Sequence, residues 1–295
     1  MSSLPIAIGL VTALCWGTSD FLSRMQSEKV GHYNTTVYMH VTTMAILLLL
    51  ALLLEPPFHF ALLPFAALAA AGVLNFLAFI ALYRAFHRGV VSVVAPVAYT
   101  YPAVTTVVSV AVLGVVISTT RVFAIAGIIL GVVLLSMRYS ELRSYSRGNG
   151  RPALTTGVVA AVTSSVTFGI VYVVLGYATP IVGYFFPVIA LRGVGTITGF
   201  VLAPVFKERV RPSRVSFSRV ILVMGVLEAV GFLIFNFGVS LGADSLPIVA
   251  AISGMGGAVA AVYGMALLKE RLEANQLLGA ILSVAGVFAL LYFGG

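Results

Sequence analysis

Charge is what this chain has least of: Asp, Glu, Lys and Arg make up 9% of its 295 residues, while 60% are apolar. Soluble domains carry about 25% charged residues, so a water-facing surface cannot be built from this supply. The net charge of +8 would suit nucleic acid, but the basic residues fall between hydrophobic runs and form no basic face interleaved with aromatics. Nucleic acid is therefore excluded as a partner. Cysteine is nearly absent too: Cys15 stands alone, which excludes an internal disulfide, and no Cys/His cluster has zinc spacing. The four histidines, His32, His40, His59 and His87, are scattered. No HExxH, GxSxG or GxxxxGK[ST] motif occurs. The sequence thus offers no catalytic residues, no metal site, no cofactor and no nucleotide-hydrolysing loop.

What it has is hydrophobic length, with a mean hydropathy of +1.11. A helix crossing the hydrocarbon needs about 20 apolar residues. Breaking the chain at charges, prolines and glycine clusters predicts ten spans, at 4–23, 34–54, 61–83, 91–113, 119–137, 154–175, 182–205, 219–239, 245–267 and 275–293. The run from Leu4 lacks the basic leader and cleavage site of a signal peptide, so it is read as the first span. Uninterrupted runs such as Ala45–Leu54 lack the alternation of a membrane barrel. The expectation is an all-α, multi-pass protein of a cell or cytoplasmic membrane, with the lipid bilayer around it.

The chain also repeats itself. Ala81–Leu135 aligns without gaps on Asn236–Leu290, so that Gly131 falls on Gly286. Ala13–Phe21 (ALCWGTSDF) matches Ser165–Val173 (SVTFGIVYV), with Trp16-Gly17 on Phe168-Gly169. The division is a first five-helix repeat at 1–137, a basic loop at 138–153 and a second repeat at 154–295. Five is odd, so the second copy must lie upside down in the membrane. Inverted repeats of this kind are a transporter architecture, with the substrate site near the midplane between them. Fifteen of the seventeen Lys and Arg residues fall in odd-numbered loops; Arg121 is on the other side and Arg192 within a span. The positive-inside rule then places the odd loops in the cytoplasm and both termini outside.

Three stretches carry a family resemblance. They are Ala13–Gly17 (ALCWG), Ala81–Val97 (ALYRAFHRGVVSVVAPV) running into Tyr99–Val104 (YTYPAV), and Leu267–Leu272 (LLKERL) followed by Leu278–Val287 (LGAILSVAGV). In order, spacing and duplication the chain resembles the EamA-type transporters of the drug/metabolite transporter superfamily over nearly its whole length. The resemblance implies ten helices in two inverted halves and the export or uptake of small organic solutes such as amino acids, metabolites or drugs. The chain departs from the pattern where Val115-Val116 replace the acidic-basic pair seen as Glu270-Arg271 in the second repeat. Members of the family are also often drawn with cytoplasmic termini, contrary to the charge distribution here.

Polar groups inside the spans are few. A charge at a helix centre costs roughly 2.5–3.5 kcal/mol on insertion scales, so it faces a cavity or a partner. Arg192 in span 7 aligns with His40 in span 2, and the resemblance supports a basic group there. Arg192 is either an anchor for a substrate carboxylate or phosphate, or one half of a structural pair with Glu228. His40 reads more readily as a helix–helix hydrogen bond. Glu228 in span 8 is a candidate coupling carboxylate or the permanent partner of Arg192. Asp20 lies four residues before Arg24, and an interfacial i,i+4 pair is the favoured explanation.

Breaks in the helices give a second set of candidates. Span 4 holds Pro96 and Pro102; the equivalent span 9 holds Pro247 and then Ser253-Gly254-Met255-Gly256-Gly257, with Gly257 aligned to Pro102. Interrupted helices at matching positions of both halves point to a transport site. Gly195-x-x-x-Gly199 and Gly127-x-x-x-Gly131 read instead as close helix packing. Trp16, Tyr99, Tyr101 and Tyr263 sit near mid-span, away from the belts where membrane aromatics collect. Asn75 and Asn236 are helix–helix glue or substrate contacts. The expected substrate site thus comprises Arg192, His40, Trp16, Tyr99, Tyr101, Ser253, Gly254, Asn236 and Asn75. The sequence favours a secondary transporter of a small-molecule substrate, with export as the preferred direction. A channel or lipid translocase, and behind it a membrane-embedded enzyme, stay open. A basic anchor with aromatic lining favours an anionic or zwitterionic solute. Oligomeric state is not legible, and a monomer is compatible with all of this.

Overall fold

In hydrocarbon every peptide group must find its partner within the protein, and a helix supplies those partners within one segment. The computed structural model describes residues 3–57, 59–88, 97–137, 139, 151–210, 218–242, 244–268 and 273–293. Pro96, Glu270 and Arg271 lie outside the described residues. The helices are α1 (Leu4–Val30), α2 (His32–Leu54), α3 (Leu62–Arg88), α4 (Tyr101–Leu113), α5 (Thr119–Ser136), α6 (Arg151–Val182), α7 (Phe186–Val201), α8 (Arg219–Ser240), α9 (Ser245–Ser253), α10 (Gly256–Leu268) and α11 (Ala274–Phe293). Together α9 and α10 make the ninth span. No strand occurs among the described residues. Five helices, α1, α2, α3, α6 and α8, are each long and apolar enough to cross a membrane.

Local chemistry sets the ends. Pro5, Pro102 and Pro187 sit in the first turns of α1, α4 and α7, where a missing N–H costs nothing. Ser118 and Ser218 cap α5 and α8, accepting from the backbone N–H of Arg121 and Ile221. Gly31, at φ +81°, turns α1 into α2 in a single residue. The surface is apolar, with Leu52, Val116 and Phe123 largely exposed. Inside, Thr12, Thr36, Thr43 and Thr105 donate to carbonyls one turn earlier in their own helices, which satisfies hydroxyls that lipid could not.

Several helices outlast their apolar stretches, because backbone bonding does not require apolar side chains. Arg24 and Lys29 therefore stand on α1, and Arg84, His87 and Arg88 on α3, rather than in loops as expected.

The packing respects an exchange of the two halves. α1 packs on α8 as α6 packs on α3; α1 lies along α9 and α10 as α6 lies along α4; α2 meets α8 as α7 meets α3. The pairs α2–α7 and α5–α11 map onto themselves, and α4 meets α9 where spans 4 and 9 adjoin. Glycines show the same relation atom by atom. A Cβ on Gly17 would strike Val259, and one on Gly169 would strike Val104; Val104 and Val259 are aligned positions. Gly131 packs on Gly279 and Ser283, and Gly286 on Ala124 and Ile128, which are again aligned pairs. Gly195 and Gly199 take the His40 and Phe76 rings at close range, as expected, but Gly127 faces open space and is not a packing glycine. The chain is an all-α membrane protein of ten spans in two inverted five-helix repeats.

The breaks are paired as well. Span 4 turns at Tyr99-Thr100, and span 9 at Gly254-Met255, the aligned positions. In each turn a backbone N–H reaches back three residues, Thr100 to the carbonyl of Val97 at 3.2 Å and Met255 to that of Ile252 at 3.0 Å. Across the axis the unlike residues fit each other: the Tyr99 ring lies where a Cβ on Gly257 would be, and Pro102 where one on Gly254 would be.

Candidate functional site

Helical spacing puts side chains three or four residues apart on one face, and four helices turn such a pair toward the same interior space. α1 offers Trp16 and Asp20, α3 Phe79 and Leu82, α6 Phe168 and Tyr172, and α8 Glu228 and Phe232. The broken start of span 4 closes the wall with Ala98, Tyr99 and Tyr101. The space they enclose, including its opening, is about 400 Å³. Trp16 with Phe168, and Asp20 with Tyr172, are the same two positions of the repeat.

The walls are mostly rings in mutual contact. Trp16 stacks on Tyr172 with centroids 5.5 Å apart and a 19° interplanar angle, and meets Phe232 at 4.9 Å. Phe168 stacks on Tyr172 at 6.0 Å, and Tyr101 meets Tyr172 at 5.1 Å. Gly231 lets the indole edge of Trp16 lie directly on the α8 backbone; its Nε1–H is buried there without an acceptor among the described residues.

Two carboxylates face this space, in different company. Glu228 Oε2 accepts from Arg192 Nη2 at 2.6 Å, with both side chains almost wholly buried. Arg192 lies behind the wall, its guanidinium between the rings of Phe79 (5.0 Å) and Phe232 (4.3 Å). Its Nη1 donates to His40 Nε2 at 3.2 Å. A guanidinium has no acceptor, so His40 keeps its proton on Nδ1, 3.0 Å from the Thr36 carbonyl, and is neutral. Asp20 is different. Its Oδ2 accepts from the Tyr99 hydroxyl at 2.6 Å, and the side chain turns inward instead of pairing with Arg24 as the sequence suggests. The reason is the Tyr99 ring, held beside α1 by its seat on Gly257.

Of the expected site residues, Trp16, Tyr99 and Tyr101 line the cavity, and Glu228 with them. Tyr101 donates to Ser253 Oγ at 3.0 Å, and Ser253 donates in turn to the Ala250 carbonyl at 2.9 Å. Ser253 and Gly254 therefore stand behind the wall. Arg192 and His40 do too, and the pairing left open by the sequence is present. Asn236 is tied elsewhere, accepting from Thr179 at 2.7 Å and donating to the Tyr184 carbonyl. Asn75 is fully buried near His40, away from the cavity. Pro102, Gly256 and Gly257 lie at the paired breaks, whereas Pro247 sits in the first turn of α9, away from the Gly254-Met255 turn. Tyr263 is exposed beside Phe21, away from the cavity. Sequence reasoning missed Asp20, Phe79, Phe168, Tyr172 and Phe232. The available signal was the spacing Trp16–Asp20 and its repeat equivalent Phe168–Tyr172. Among the described residues no group of three His, Cys, Asp or Glu could hold a metal ion.

Comparison with known proteins identifies the family and the fold. The model of the EamA-like transporter family matches residues 3–137 and 155–292. A solved structure titled "Crystal structure of protein" superposes with a TM-score of 0.74 at 14% identity, covering 98% of each chain; the likeness is one of fold. No curated protein matches.

Proposed function

Because the chain belongs to the EamA-like transporter family, a family of integral, multi-pass membrane carriers, we propose that it is a secondary transporter of small organic solutes working by alternating access. Its two repeats, 1–137 and 154–295, joined by the basic loop 138–153, rock around the central cavity, with export as the working direction and the odd loops in the cytoplasm. One observation carries this reading: the cavity sits where helices of both halves converge, against breaks at equivalent positions of spans 4 and 9. Discontinuous helices at a repeat interface are where such carriers bind their cargo. The chain has no phosphate-cradling loop, so the energy comes from an ion gradient, from exchange or from the solute's own gradient.

Purified protein in sealed liposomes tests the proposal. Uptake of a labelled solute should saturate, yield to unlabelled competitor and accelerate when the vesicles are preloaded. Flux that neither saturates nor responds to competitor would indicate a channel instead.

A further inference from the structure

The cavity's charges do not balance, and the imbalance has a sign. Glu228 and Arg192 neutralise each other at 2.6 Å. His40 is uncharged, because its Nε2 accepts from Arg192. That leaves Asp20, 8% exposed, whose carboxylate has one described hydrogen bond, from a neutral phenol. A carboxylate at this depth is costly without a cationic partner, and among the described residues no Lys or Arg lines the cavity. Around it stand Trp16, Tyr99, Tyr101, Phe168 and Tyr172, whose faces attract a cation. The protein already holds one cation this way: Phe79 and Phe232 clasp the Arg192 guanidinium from behind the same wall.

We infer that the cargo is a monovalent organic cation bearing an ammonium group, its charge met by Asp20 and its body by the aromatic walls. This deepens the carrier reading and rests on it. It also reverses the expectation of an anionic or zwitterionic solute. That expectation needs a free basic anchor, whereas Arg192 spends both Nη groups on Glu228 and His40. An incoming carboxylate would meet two acidic groups, with the Arg192 guanidinium held behind the wall by Glu228 and His40.

Trp16 is the single tryptophan of the chain, so its fluorescence reports on the cavity alone. The detergent-solubilised full-length protein would be titrated with benzyltrimethylammonium, benzyl alcohol and benzoate, which share a ring and differ in charge. The cation should change Trp16 emission saturably, and benzoate should not. Asp20→Asn should weaken the cation by about tenfold or more, the effect of losing a charged partner, with Asp20→Glu restoring part of the affinity. Saturation by benzoate without the cation, or equal cation binding by Asp20→Asn, would overturn the assignment. The wild-type comparison decides it even if the variant fails to fold. Saturable solute exchange in liposomes without competition by the cation would refute the cation and leave the carrier standing. Cation binding at Trp16 with no flux of any solute would do the reverse.

Discussion

Arg192 and Glu228 meet at 2.6 Å in the interior of the second repeat, bringing together the only two formal charges on α7 and the inner turns of α8. Removing one partner of a buried pair leaves the other uncompensated, at a cost of about 3–5 kcal/mol. Arg192→Met and Glu228→Leu should each lower the thermal midpoint in detergent sharply. The double substitution should recover much of the loss, because two apolar groups leave no charge behind. Equal and additive losses would show that the contact carries no coupling.

The glycine contacts give an internal contrast. Gly131→Leu drives a side chain into the α11 backbone at Gly279 and Ser283, an overpacking that costs about 1–3 kcal/mol or more. Gly127→Ala, four residues earlier and facing open space, should be neutral or stabilising, since alanine is the better helix former by about 1 kcal/mol. Thermal shifts of the two variants check this directly.

Tyr99 joins the helix break to the cavity. Tyr99→Phe removes the donor to Asp20 and little else. A hydrogen bond to a charged group contributes about 1.5–3 kcal/mol to stability, so the thermal midpoint should fall, and with the carboxylate no longer held in place half-saturation for transport should rise. Gly257→Ala, whose methyl would overlap the Tyr99 ring, should raise half-saturation in the same direction. An unchanged half-saturation in both would detach the break from binding.

Orientation is tested by fusion. With the odd loops in the cytoplasm, a C-terminal alkaline phosphatase fusion should be active and a C-terminal fluorescent-protein fusion dark. The opposite pattern would place both termini inside.

The sequence made the architecture readable because apolar length and repetition are properties of the chain itself. The Arg192–Glu228 pair was within reach for a similar reason, being two isolated charges in adjacent spans. Asp20 was not. Its local neighbour Arg24 offers an obvious partner, while its actual donor, Tyr99, is 79 residues away. The aromatic wall was hidden differently. A membrane helix is apolar on every side, so no polar stripe shows which of its rings turn inward. Phe79, Phe168, Tyr172 and Phe232 became distinct from lipid-facing aromatics only once the helices were packed. The breaks were legible as proline and glycine, but the chain turns at Tyr99-Thr100 and Gly254-Met255, where the two halves interlock.

Alternating access requires that one cavity open in turn to each side of the membrane. Ala98, in its wall and 3% exposed, can become Ala98→Cys in a Cys15→Ala background, leaving one thiol. Sealed vesicles of known orientation would then be treated with a membrane-impermeant thiol reagent from either side. Alternating access predicts labelling from both sides, slowed in each case by a transported solute. Labelling from one side alone, whatever solute is present, would contradict it.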